Sequence, residues 1–479
     1  MTRTAENPSV LATGRGKLVL ALLCSIGFLD FVDSVIINVA LPSMQHHLNF
    51  SEQGLQWVAT GYLLTYGGFM LLGGRAADLI GRRRVLVGGV ILFALASLAG
   101  GLADTANLLI TARIVQGVGA AFMMPAALSL ITTTFTEGSD RTKALGIWGG
   151  VIGLAAAAGV LLGGVLTEKL GWRWVLLINP ILCVLLIAGI YGLLPNDKRR
   201  ASGGSFDLPG AVLGTGGMLL LVYGIVEAPH SGWDSLNTVL RLGIAVLLLI
   251  AFVVNEQRRS NPLMPLSIFR IRGLAAADAT QLIAIGGFIT MFFFLTLYMQ
   301  NVLGYSAIKT GIVYLPVTVG IGLGAGVSTK LIPHVGTRPL IVGGAAFASI
   351  GVFLLSRLPV NGEYVSDLLP GMIVMSVGLG FVMVSVTNAA NAGVPADKAG
   401  LAASLLSSSQ QLGGALGLAV LTTVASSRTT DLLTTGTTPP EALASGFNRA
   451  VLYCSIAVLV GAVIGLGTYN TRKADAPMV

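Results

Sequence analysis

LVLALLCSIGFLDFVDSVIINVALP, residues 18–42, is an apolar run that carries two acids. At about 1.5 Å per residue it is long enough to cross a bilayer as a helix. Asp30 lies roughly 18 Å in from Leu18, near the middle of the hydrocarbon, and Asp33 is one turn further on. A charged Asp at that depth costs about 2.5 to 3.5 kcal/mol on insertion scales, so neither carboxylate can face lipid. At about 100° per residue, Asp30, Asp33, Ser34 and Asn38 fall on one broad face, interrupted only by Ile37. That face lines a cavity, and the rest of the chain has to build it.

The remaining composition agrees with a membrane setting. Of 479 residues, 54% are hydrophobic and 10% charged, and the mean hydropathy is +0.82, too apolar for an ordinary soluble domain. The formal charge of +8 is spread in short clusters between apolar runs with no aromatic-basic stripe, which argues against nucleic acid. Cys24, Cys183 and Cys454 sit singly in apolar segments, an arrangement that argues against disulfides and a metal cluster. Arg3, Arg15 and Lys17 ahead of the first run look like a signal peptide. That run is too long and too acidic for one, and is expected to remain as a helix.

Fourteen runs reach spanning length. Six come first, at 18–41, 53–74, 85–101, 107–133, 142–167 and 174–194. Two follow at 208–227 and 238–252, and a last six at 274–300, 310–332, 339–356, 368–393, 399–424 and 447–468. With the N-terminus inside, the 29 Lys and Arg favour the cytoplasmic segments by roughly three to one, and Arg113 is left inside the fourth run. This bias predicts an even helix number, cytoplasmic termini and a multi-pass protein of the cell membrane. Offsetting the chain by 255 residues lays GRRRVLVGG, 81–89, on GTRPLIVGG, 336–344, which suggests two related halves. The expected organisation is a cytoplasmic N-terminus at 1–17, a six-helix bundle at 18–194 and links with an inserted two-helix hairpin at 195–273. A second six-helix bundle at 274–468 and a cytoplasmic tail at 469–479 complete it. The polar link after the first bundle holds Lys198, Arg199 and Arg200.

GGRAADLIGRRR, 73–84, resembles the signature loop of the major facilitator superfamily. Gly74, Asp78, Gly81, Arg82 and Arg83 match that signature, and Leu79 stands where a basic residue is usual. RIVQGVGA, 113–120, resembles the helix 4 motif whose membrane-embedded arginine, here Arg113, is linked to proton relay. DSVIINVALP, 33–42, is similar to the helix 1 motif of fourteen-helix drug:proton antiporters, and the motif's acid falls on Asp33. Asp30 is an addition to that pattern, and Val35 replaces a usual Thr. WRWVLLINP, 172–180, YMQNVLGYSAIKTGIVYLP, 298–316, and LSSSQQLGGALG, 406–417, extend the likeness. GLAAAAGVLLGG, 153–164, keeps the small residues of the helix 5 antiporter motif but has Val160 in place of its proline.

The resemblance implies an all-α facilitator fold that works by alternating access on a proton gradient, with no cofactor and no metal. No GxxxxGK[ST] phosphate loop occurs, so direct use of ATP is not expected. Asp30 and Asp33, close together in a low dielectric, are expected to have raised and coupled proton affinities and to bind either protons or a cationic substrate. With Arg113 they form the expected proton-coupling set. For a lipophilic or cationic small molecule the candidate contacts are Asp30, Trp57, Tyr62, Gln281, Phe288, Phe292 and Asn388, since aromatic surfaces adapt to apolar and cationic ligands. Gly74, Asp78, Gly81, Arg82 and Arg83 are the candidate gate. Asp278 is a third intramembrane acid, read either as a second proton or cation contact or as an interfacial cap. Beside drug efflux stand a facilitator for a defined metabolite, peptide, siderophore or lipid, and a non-transporting sensor or scaffold.

Overall fold

The computed structural model describes residues 10–135, 139–195, 207–260, 262–392, 394 and 398–471. The N-terminal Arg3, the basic link at Lys198, Arg199 and Arg200, and residues 472–479 lie outside the described residues. The first eight long helices are α1 (Gly14–Leu48), α2 (Glu52–Ile80), α3 (Arg82–Gly101), α4 (Ala106–Thr134), α5 (Ser139–Lys169), α6 (Arg173–Leu193), α7 (Leu208–Ser231) and α8 (Leu236–Arg258). Then come α9 (Leu274–Val302), α10 (Ala307–Val335), α11 (Thr337–Leu355) and α12 (Tyr364–Asn391). The last two are α13 (Ala399–Thr434) and α14 (Pro439–Gly465). No strand occurs among the described residues.

Many of these helices outrun their apolar cores because polar caps, not hydropathy, set their ends. Thr13 accepts a hydrogen bond from the Gly16 N–H to start α1, and Asn49, at φ 51, closes it in the left-handed conformation. Ser51, Thr105 and Ser235 start α2, α4 and α8 in the same way. Among the described residues, eleven helices are long and apolar enough to cross a membrane. Of the others, α2, α5 and α13 are rich in Gly, Ala, Ser and Thr. Those residues lower hydropathy while letting neighbouring backbones come close.

The packing repeats itself. α1 lies on α5, α2 on α4, α3 on α4, and α3 on α6; eight helices later α9 lies on α13, α10 on α12, α11 on α12, and α11 on α14. The two sets meet where α2 crosses α13 and α5 crosses α10. α7 and α8 pair with each other, and α7 rests on α2 and α13.

The aligned stretches 81–89 and 336–344 occupy corresponding places in this pattern. Gly81, at φ 116, precedes α3, and Gly336, at φ 87, precedes α11. Both hold a backbone conformation that side chains resist. At the other end of the alignment, a Cβ on Gly89 would stand 3.0 Å from the Gly119 carbonyl oxygen, and one on Gly344 would stand 3.1 Å from that of Gly378. The same tight crossing is therefore built twice.

Candidate functional site

The carboxylates of α1 face α2, α4 and α6 because the opposite side of α1 is taken by α5. There Gly159 and Gly163 let the α5 backbone approach Val32, Val35, Ile36 and Val39. On the far side of the site α4 is pressed against α2. A Cβ on Gly117 would collide with the Tyr62 carbonyl oxygen, and Arg113 lies one turn away on the same helix. Sequence spacing thus delivers one arginine and two acids to the same interior.

The two acids have different surroundings. Asp33, fully buried, receives the Arg113 guanidinium at 2.7 Å, the Gln116 amide at 2.9 Å and the Asn179 amide at 2.6 Å. Arg113 also donates to the Gln116 side-chain oxygen at 2.6 Å and the Val58 carbonyl at 3.1 Å. Ser97, on α3, accepts from the amides of Gln116 and Asn179 at 2.6 and 3.1 Å. Both charges are therefore neutralised and heavily hydrogen-bonded, the condition under which a buried ion pair can persist. Asp30 has no cation bonded to it among the described residues. Its two oxygens accept from the Tyr62 and Tyr66 hydroxyls at 2.9 and 2.8 Å.

Tyr62 joins the two settings. Its hydroxyl is on Asp30, and the Arg113 guanidinium carbon stands 4.2 Å from the centre of its ring. Ser34 lies at 3.5 Å from the same hydroxyl, on the α1 face read from the sequence. The arrangement can hold one fixed charge pair and, a turn away, one carboxyl whose partners are neutral phenols.

Residues 23–418 match the sequence profile of the Major Facilitator Superfamily. The chain belongs to the major facilitator superfamily. It is a transporter, not an enzyme. It is 40% identical to the puromycin resistance protein pur8 of Streptomyces alboniger, covering 95% of this chain and 92% of that protein. It is 39% identical to the cephamycin export protein CmcT of Amycolatopsis lactamdurans, covering 94% and 92%. Among solved structures it is similar to a bacterial homolog of the human lysosomal transporter Spinster in an inward-facing, unoccupied conformation. That match has a TM-score of 0.66 at 16% identity and covers 95% of this chain and 97% of the other, a likeness of fold.

In this facilitator the remaining sequence candidates are scattered. Trp57 turns away from the acids, with its ring centre 6.3 Å from that of Tyr223 on α7. Gln281 donates to Gln410 of α13 at 2.8 Å. Phe288 is buried, and Phe292 is half-buried with its ring 5.7 Å from Tyr314. Asn388 is exposed and bonds back to Val384 of its own helix. In the signature loop, Asp78 is exposed and pairs with Arg82 of the same loop at 3.6 Å. Arg83 is buried, donating to the Tyr191 carbonyl of α6 at 3.3 Å with its guanidinium 5.0 Å from that ring. Gly74 lies near Pro125 and Ser404, and Gly81 supplies the turn. Cys24, Cys183 and Cys454 are free thiols in the interior.

Sequence reasoning did not single out Tyr66, Ser97, Gln116 or Asn179. Gln116 and Asn179 stand inside the quoted motifs, and Tyr66 follows Tyr62 by four residues, so helical spacing was an available signal for it. Ser97 carried none. An open cleft of about 640 Å³ lies at the opposite end of the molecule from the start of α1. It is lined by Gln45, His46, Asn49, Phe50, Gln300, Asn301 and Leu443, and contains none of the three acids.

Proposed function

We propose that this transporter is a proton-coupled antiporter that exports antibiotics and other hydrophobic or cationic toxic compounds by alternating access. In this reading all fourteen long helices cross the cell membrane with both termini cytoplasmic. Residues 18–194 and 274–468 form the two moving bundles, and α7 and α8 are an inserted hairpin. The proton gradient supplies the energy, and no cofactor is required.

The observation that carries the reading is the unequal treatment of the two acids. Asp33 is locked to Arg113 and two amides, whereas Asp30, equally buried, has only phenol donors. A buried carboxylate without a counter-charge is costly, so Asp30 is the group that gains or loses a proton as the site opens and closes to water. Arg113 and Tyr62 would pass that change to the Asp33 side. The names of the similar proteins, one for puromycin resistance and one for cephamycin export, support antibiotics as the substrate class.

The test is internal pH in proteoliposomes after addition of puromycin. Proton movement triggered by puromycin, and lost in both Asp30→Asn and Asp33→Asn, is the expected result. Equal puromycin movement with no proton movement in the wild type would overturn the proposal.

A further inference from the structure

One buried acid lies outside the site just described. Asp278, in the first turns of α9, is 6% exposed and is the only buried acid among the described residues of α9 to α14. Neither of its carboxyl oxygens has a hydrogen-bond partner. It does not cap a helix, since α9 begins after Gly273 and no backbone N–H bonds to it. α12, α13 and α14 pack against this segment. The titratable groups flanking the helix ends here are Arg270 and Arg272 before α9, Lys398 before α13 and Tyr469 after α14, of which Tyr469 lies against Gly273. None of them bonds to Asp278. An isolated carboxylate so placed would cost several kcal/mol, roughly the penalty that keeps such groups neutral. Asp278 therefore holds its proton while buried.

The surroundings suggest more than a silent acid. A π turn, Gln281–Ile285, begins three residues beyond Asp278, a rare irregularity that recurs at functional sites. Gln281, one turn from Asp278 on the same face, bonds to Gln410 of α13 at 2.8 Å. Next to Gln410 on α13, Gln411 packs with Ser408 against Gly67 of α2, and Gly67 follows Tyr66, which holds Asp30 at 2.8 Å. The segment that carries Asp278 is thus tied to α13 through Gln281 and Gln410, and α13 in turn rests on α2 beside the residue that holds Asp30. Asp278 lies about one turn from the end of its helix, where movement of α13 would reach it through the bond between Gln281 and Gln410.

We propose that Asp278 is a second proton-binding carboxyl that loads and unloads once in each transport cycle, so that two protons move per substrate. This rests on the antiport reading above, with Asp30 carrying the other proton. The binding step is simple protonation of a carboxylate to a carboxylic acid, with the proton taken from water on one side and returned to water on the other.

The experiment measures the puromycin gradient that a fixed pH difference sustains in proteoliposomes, with the membrane potential clamped at zero. Each coupled proton allows a difference of one pH unit to hold about a tenfold gradient, so two protons hold about 100-fold. The expected results are about 100-fold for wild type and for Asp278→Glu, and about tenfold for Asp278→Asn. A wild-type value near tenfold, or an Asp278→Asn value equal to a 100-fold wild type, overturns the inference while leaving antiport intact. If Asp278→Asn does not fold, Asp278→Thr takes its place, with the same tenfold value expected and a 100-fold value overturning the inference. Puromycin movement with no proton coupling in the wild type is a different failure, that of the antiport reading itself.

Discussion

Removing one member of the Asp33 and Arg113 pair should be far more damaging than removing both. The pair is completely buried, with N to O at 2.7 Å, and Asp33 accepts from two further amides. Asp33→Asn replaces an acceptor oxygen with an N–H₂ group amid three donors and leaves the Arg113 charge without its partner. Breaking a buried pair in this way costs about 3 to 5 kcal/mol. Using about 2.1 cal/mol/K per residue, a chain of this length loses roughly one degree of melting temperature per kcal/mol, so the expected drop is about 3 to 5 °C. Asp33→Asn combined with Arg113→Met removes the stranded charge and should recover most of that loss. A thiol-reactive dye reads the transition directly, because Cys24, Cys183 and Cys454 are buried until the protein unfolds. A double variant whose loss equals the sum of the two single losses would refute the reasoning.

Three other perturbations follow from the geometry. Gly117→Ala drives a methyl group onto the Tyr62 carbonyl and should cost about 1 to 3 kcal/mol, whereas Gly88→Ala, in open space, should be near neutral in the same melting assay. Gly81→Ala and Gly336→Ala should each cost about 1 to 3 kcal/mol through backbone strain, and a loss in only one of them would count against the matched turns. Glu168, just beyond the apolar run of α5, is held below the usual carboxylate range by the Ser306 side chain and the Ile308 N–H at 3.2 Å. Its lowered value means that the contact with α10 is present above the ordinary Glu value and fades as pH falls through the lowered one. Acid melting curves of wild type and Glu168→Gln should accordingly differ at neutral pH and converge in strong acid.

The sequence made the interior acids legible because an Asp in the middle of an apolar run has few affordable environments, and the same argument applied to Arg113. It did not reveal how they would be partnered. Proximity along α1 suggested that Asp30 and Asp33 would act as one coupled pair, but the cross-helix approach of α4 and α6 gives Asp33 an arginine and two amides and leaves Asp30 to α2. Such choices depend on which backbones come closest, and that is set by glycines on other helices. Trp57 and Tyr62 illustrate the same limit, since five residues along a helix is too far round to share a face and Trp57 turns to α7. Helix ends were also shorter in the sequence reading, because hydropathy marks the membrane-facing run while Thr13, Ser51 and Asn49 decide where hydrogen bonding starts and stops.

The crossing of α5 and α10 has a consequence of its own. A Cβ on Gly164 would meet the Ala307 carbonyl carbon and oxygen at 3.1 and 2.7 Å, and one on Gly311 would meet the Val160 carbonyl oxygen at 2.8 Å. Here backbone lies directly on backbone. A crossing of this kind is vulnerable to wedges, because no flexible side chain can yield to an intruding group. A small compound lodged beside Gly164 and Gly311 would wedge the two backbones apart without entering the carboxylate interior, and any inhibition of transport by it should be noncompetitive. Resistance to such a compound would be hard to acquire, since a larger residue at either glycine would itself prise the crossing apart.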